Sequence, residues 1–117
     1  MAASLSPITT HILDTARGLP AADIPVRLER YAAGLWRQLA QGKTNTDGRL
    51  LDWWPGEQLE AGDYRLCFHV ADYLVAHHGP APLYPQIQVD FRVAAGQTHY
   101  HLPLLLSPYG YTTYRGS

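Results

Sequence analysis

One cysteine, few charges and no long apolar run set the first limits on this chain. A lone Cys67 cannot close an intrachain disulfide, so no covalent staple holds the fold, which suits a reducing compartment. Its place between Leu66 and Phe68 reads as a small buried hydrophobe and not as a catalytic thiol. Charged residues make up 16% of the sequence and sum to −1, so the basic stripe of a nucleic-acid binder is missing. The longest apolar runs, such as Leu102 to Leu106, are far too short to cross a bilayer. Met1 to Ser6 carry neither a basic region nor an apolar core, so a secretory signal is not expected and a cytoplasmic setting is. Gly-x-Ser-x-Gly, Walker-type glycine loops, His-Glu-x-x-His and Cys-x-x-Cys are all lacking, which discourages nucleophilic serine, phosphate and structural zinc chemistry.

What is present is a folded composition: 117 residues, 46% hydrophobic, enough for one domain with one core. The expected boundaries are residues 1–117, with 1–5 a loose N-terminus. Nineteen glycines and prolines punctuate the chain without clustering into a linker. Between them the apolar period is two. Tyr64, Leu66, Phe68 and Val70 alternate with Arg65, Cys67 and His69; Ile87, Val89, Phe91 and Val93 alternate with Gln88, Asp90 and Arg92. Ile24, Val26 and Leu28 do likewise, and further strands are expected over 8–13, 36–43, 100–106 and 109–114. Asp47-Gly48 marks a tight turn. A single short helix is predicted, capped by Asp72, filled by Tyr73 to His78 and stopped by Gly79-Pro80. Many short strands and one helix predict an antiparallel β-sandwich.

The strand around Leu104 has two apolar faces. Tyr100, Leu102, Leu104 and Leu106 form one, while His101, Pro103 and Leu105 form the other. A small domain should not leave the second in water, and the tyrosines at 109, 111 and 114 are of a type enriched at interfaces. An oligomer is therefore expected.

Six histidines supply acid–base candidates near neutrality. His77 and His78 read as a solvated helix end, and His69 as a surface residue. His99 and His101 leave one face of one strand, but no third ligand at metal spacing accompanies them, so no metal and no cofactor is expected. His11 shares a face with Thr9 and Leu13. By elimination, the chemistry left open is attack by water, with a histidine as base and a cation, Arg49 or Arg115, to hold developing negative charge.

Three segments resemble the 5-hydroxyisourate hydrolases. They are Ser6 to Ala21, which contains Thr9-Thr10-His11-Ile12-Leu13-Asp14; Gly42-Lys43-Thr44-Asn45-Thr46-Asp47-Gly48-Arg49; and His99 to Ser117, which contains Tyr100-His101-Leu102-Pro103 and ends in Tyr114-Arg115-Gly116-Ser117. Ala71-Asp72-Tyr73 and Phe91-Arg92-Val93 fit between them, whereas Trp53-Trp54-Pro55 and 76–83 are not diagnostic. The resemblance implies an all-β, transthyretin-like (prealbumin) sandwich of two four-stranded sheets with a short helix after the fifth strand. It also implies a homotetramer whose sites lie in the cleft between dimers, faced by the first, seventh and eighth strands.

Carried over by position, it gives catalytic roles to His11, Arg49, His101 and Ser117. Substrate would be bound by His11, Arg49, Tyr114, Arg115, Gly116 and Ser117; His99 receives no role. The implied partners are a small molecule, 5-hydroxyisourate, and further copies of the chain, with no nucleic acid and no membrane. The implied alternative is a non-catalytic carrier of transthyretin type, which keeps the strands but lacks the histidines and the terminal motif.

Overall fold

A computed structural model describes residues 5–55 and 58–117, so most of the expected loose N-terminus lies outside the described residues. In chain order the elements are β1 (Ile8–Asp14), β2 (Leu19–Pro20), β3 (Pro25–Ala32), β4 (Leu35–Lys43), β5 (Arg49–Leu50), β6 (Gly62–Phe68), α1 (Ala71–His78), β7 (Ile87–Val93), β8 (Tyr100–Ser107) and β9 (Gly110–Thr113). They form two sheets, as predicted. One runs β4-β3-β6-β7, antiparallel throughout. The other runs β9-β8-β1 and carries both β2 and β5 on the far side of β1.

That last lane replaces a single fourth strand with two short ones. Leu13 and Asp14 pair with Pro20 and Leu19, while Thr10 and His11 pair with Leu50 and Arg49. Between these pairs, the Ile12 N–H donates to the Gly48 carbonyl at 2.8 Å and its carbonyl accepts from Ala21 N at 2.9 Å. The extra strand β2 also makes α1 follow the sixth strand and not the fifth.

Two further expectations need correcting. β1 and β8 run parallel, so the sandwich is not wholly antiparallel, and this pair joins residues more than 90 positions apart. Asp72 does not cap α1: Val70 holds that position without a side-chain bond, and Asp72 sits in the first turn, where its charge suits the helix dipole. Gly79 ends the helix at φ 117°, a conformation that L side chains resist.

The period-two faces meet as the sequence implies. Ile8 and Ile12 from β1, Leu102, Leu104 and Leu106 from β8, Val26 and Leu28 from β3, and Tyr64, Leu66 and Phe68 from β6 are all buried in one cluster. Each such side chain contributes roughly 1.5–3 kcal/mol of transfer free energy. Polar groups on this side are satisfied: Thr10 Oγ1 donates to the Leu102 carbonyl at 2.6 Å. Asp14 is saturated. Its Oδ1 accepts the backbone N–H groups of Ala16 and Arg17, and its Oδ2 accepts Tyr73 Oη at 2.8 Å and His78 Nε2 at 2.7 Å. His78 is thus a bonded anchor of the helix, not a solvated end. Cys67 is buried as expected, but on the outer face of its sheet, next to Glu29 and Gln88 and apart from the core cluster.

Candidate active site

Strand parity builds the site. If Ile8, Thr10, Ile12 and Asp14 point into the core, Thr9, His11 and Leu13 must point out. By the same rule β8 turns out His101, Pro103 and Leu105. The parallel register sets Thr9 beside His101 and His11 beside Pro103, and the antiparallel pairing on the other edge sets Arg49 beside His11.

Arg49 is held there by the turn before it. Asn45 Oδ1 accepts the backbone N–H groups of Asp47 and Arg49 at 2.9 and 3.0 Å, and Gly48 N donates to the Asn45 carbonyl. Gly48, at φ 73°, lies so close to β1 that a Cβ would stand 2.5 Å from the Ile12 carbonyl oxygen. The turn that carries the chain from one sheet to the other therefore docks on the strand that bears His11.

The C-terminal residues reach the same face. After β9 the chain continues along β8, with Thr113 Oγ1 donating to the Pro103 carbonyl at 2.8 Å and Gly116 N to the His101 carbonyl at 2.7 Å. A Cβ on Gly116 would fall 2.7 Å from His101 Cδ2 and 3.2 Å from Pro103 Cγ, so a side chain there would displace either the tail or the ring. Tyr114 and Ser117 flank this contact and are exposed. Arg115 behaves differently. Its guanidinium lies 4.0 Å over the Tyr100 ring and donates to Gln97 Oε1 and the His99 carbonyl.

Both outward imidazoles favour the neutral form. Burial lowers the pKa of His11, and the Arg49 guanidinium lowers it further against a weaker opposing pull from Asp47. Burial likewise lowers His101, helped by Arg49, His99 and His11. One guanidinium thus acts on both rings. An unprotonated imidazole pair beside a fixed cation can take a proton from water and stabilise an oxyanion.

Thr9 was not singled out by sequence. It is 1% exposed, and its Oγ1 lies 2.8 Å from His101 Nδ1 and 3.1 Å from His99 Nε2. The available signal was parity with His11, but Thr9's partners lie at the far end of the chain. His69, expected at the surface, is half-buried and accepts from Arg27 Nη1 at 2.6 Å.

Residues 8–116 match the Transthyretin family model, described as the HIUase/Transthyretin family. The 5-hydroxyisourate hydrolase of Mus musculus is 43% identical over 119 residues, covering 100% of both chains. Among solved structures, Klebsiella pneumoniae 5-hydroxyisourate hydrolase superposes with a TM-score of 0.80 at 34% identity, covering 97% of this chain and 99% of that one. Sea bream transthyretin in complex with thyroxine superposes with a TM-score of 0.86 at 33% identity, covering 95% of each. The chain belongs to the HIUase/transthyretin family.

Proposed function

We propose that this protein is a 5-hydroxyisourate hydrolase of urate degradation, opening the six-membered ring to 2-oxo-4-hydroxy-4-carboxy-5-ureidoimidazoline. It is a cyclic amide hydrolase that uses water and no cofactor. The observation that carries this reading is the convergence of two imidazoles held neutral, His11 and His101, on Arg49. His101 takes the proton of the attacking water and His11 orients it. Arg49 holds the substrate and offsets charge gathering on the attacked carbonyl oxygen. Tyr114 and Ser117 place the planar ring, while Gly116 keeps the tail close against His101. Arg115 serves through its brace to the His99 carbonyl and its backbone within the tail.

The working unit is a homotetramer. The outward face of β8, with Leu105 half-buried and Tyr109, Tyr111 and Tyr114 exposed nearby, packs on another copy and turns an open sheet face into a cleft. A cytoplasmic setting belongs to the same reading.

The fold alone does not separate a hydrolase from a carrier, because the transthyretin structure superposes as well as the hydrolase does. The side chains favour the hydrolase. The test is to generate 5-hydroxyisourate in situ from urate and follow the loss of its ultraviolet absorbance with and without the protein. Acceleration over spontaneous decay is expected; binding without acceleration would establish a carrier.

A further inference from the structure

A neutral imidazole acts as a base only through the ring nitrogen that carries no proton. His101 turns Nδ1 to the buried Thr9 hydroxyl, which leaves Nε2 for chemistry. For Nε2 to be bare, the ring proton must sit on Nδ1 and be donated to Thr9 Oγ1. A hydroxyl has one proton and two lone pairs. If it accepts from His101, its own proton needs another acceptor, and His99 Nε2 at 3.1 Å is in place to receive it. Thr9 is almost wholly excluded from solvent, so water is poorly placed to substitute.

We infer that Thr9, backed by His99, is the positioning residue that fixes the tautomer of His101 and leaves its Nε2 bare toward the substrate. This rests on the reading above, in which His101 is the base. The order of donation is His101 Nδ1–H to Thr9 Oγ1, then Thr9 O–H to His99 Nε2, with the His99 ring proton on Nδ1. Reversed, the same three groups would arm His101 with a proton on Nε2 and make it an acid. His99 sets the direction, and the Arg115 guanidinium on the His99 carbonyl steadies the backbone that carries that ring.

The two supports are therefore unequal. Thr9→Val removes the hydroxyl and frees His101 to take either tautomer. His99→Phe leaves the hydroxyl with His101 Nδ1 as its one remaining side-chain partner among the described residues, so the Thr9 proton turns there and drives the ring proton onto Nε2. Removing His99 should be worse than removing Thr9, and removing both should be better than removing His99 alone. A structural role would instead make the losses accumulate.

The experiment combines turnover of 5-hydroxyisourate with imidazole ¹⁵N spectra of the full-length protein. We expect Thr9→Val to lower kcat about 10-fold and His99→Phe about 10²-fold, since a proton-transfer group contributes roughly 10²–10⁴. The Thr9→Val/His99→Phe double variant should recover to the Thr9→Val level and Thr9→Ser should stay near wild type, with KM moving less than kcat throughout. His101 Nε2 should resonate as unprotonated in the wild type and as protonated in His99→Phe. A protonated Nε2 in the wild type, or a double variant no faster than His99→Phe, overturns the inference. His101→Ala keeps the two levels apart. If it is inactive while Thr9→Val and His99→Phe are wild-type-like, this inference alone falls; if it is fully active, the assignment of His101 as base falls with it.

Discussion

The two sheets turn out faces of opposite character. On β3, β6 and β7 the outward charges answer one another. Arg65 Nε meets Glu29 Oε1 at 2.6 Å and lies over the Trp36 ring, Arg92 meets Asp63 at 2.8 Å, and Arg27 donates to His69. On β1, β5 and β8 the outward titratable groups are His11, His101 and Arg49, and among the described residues no carboxylate bonds the Arg49 guanidinium. Both faces follow from the same alternation behind the same core, yet one closes its electrostatics internally and the other leaves its field for a ligand. The difference locates function better than the fold does.

Breaking the open face should abolish activity and spare the fold. His101→Ala and His11→Ala are each expected to reduce turnover by roughly 10² or more, because each removes a proton-handling group. Both rings are half-buried and outside the core, so unfolding midpoints should change little. A variant that keeps wild-type turnover would remove that residue from the site.

A smaller loss should follow when the contact between tail and face is crowded without replacing a titratable group. In Gly116→Ala the new methyl meets the His101 ring at 2.7 Å and Pro103 at 3.2 Å, so either the tail or the ring must shift. A loss on the order of 10-fold in kcat/KM is expected, about 1.4 kcal/mol of transition-state stabilisation. Stability should stay close to wild type, since Gly116 lies outside the core cluster. Unchanged kcat/KM would mean that the tail does not set the site.

The closed face should respond in the opposite way. Glu29 and Arg65 are well covered, and Glu29→Gln leaves the guanidinium without its carboxylate and Cys67 Sγ without its carboxylate acceptor. A loss of about 1 kcal/mol in unfolding free energy is expected, with turnover at the wild-type level. A fall in turnover larger than the fall in folded fraction would couple the faces.

The sequence displayed these two faces unequally. Parity alone put His11 on one face with Thr9, put His99 and His101 on one face of their strand, and put Tyr64, Leu66 and Phe68 in the core, because a strand's side-chain period is local. Register across strands is not local. Nothing near Thr9 announces that its hydroxyl meets two rings some 90 residues away. Asp14 and His78 look like a turn residue and a helix end until α1 folds back onto β1. The split edge lane was equally hidden, since β2 and β5 are two-residue segments with no period to read. Arg115 and Arg49 are indistinguishable as sequence, and the Tyr100 ring beneath Arg115 sets their surroundings apart.

Acidity should separate the faces with the mildest perturbation. His11 and His101 have pKa values below the ordinary 6.5, mainly through burial and then through Arg49. The groups that face them are Arg49, His99, Asp47 and each other. The acid limb of kcat/KM should therefore lie below the usual imidazole range. Arg49→Gln should raise it only part of the way, because burial is the larger cause. For stability, a depressed folded pKa means that the unfolded chain takes up protons first. This contribution is present above about 6.5 and is lost as pH falls through the folded values.

Glu29 is also depressed, by the Arg65 hydrogen bond. In Asp14, burial acts upward but is outweighed by the hydrogen bonds from His78, Tyr73 and Arg17. The stability these carboxylates contribute persists until pH falls below about 4. As pH falls, the protein should thus lose turnover before it loses its near-ultraviolet circular dichroism. Coincident loss of both signals would mean that the open face is needed for folding as well as for chemistry.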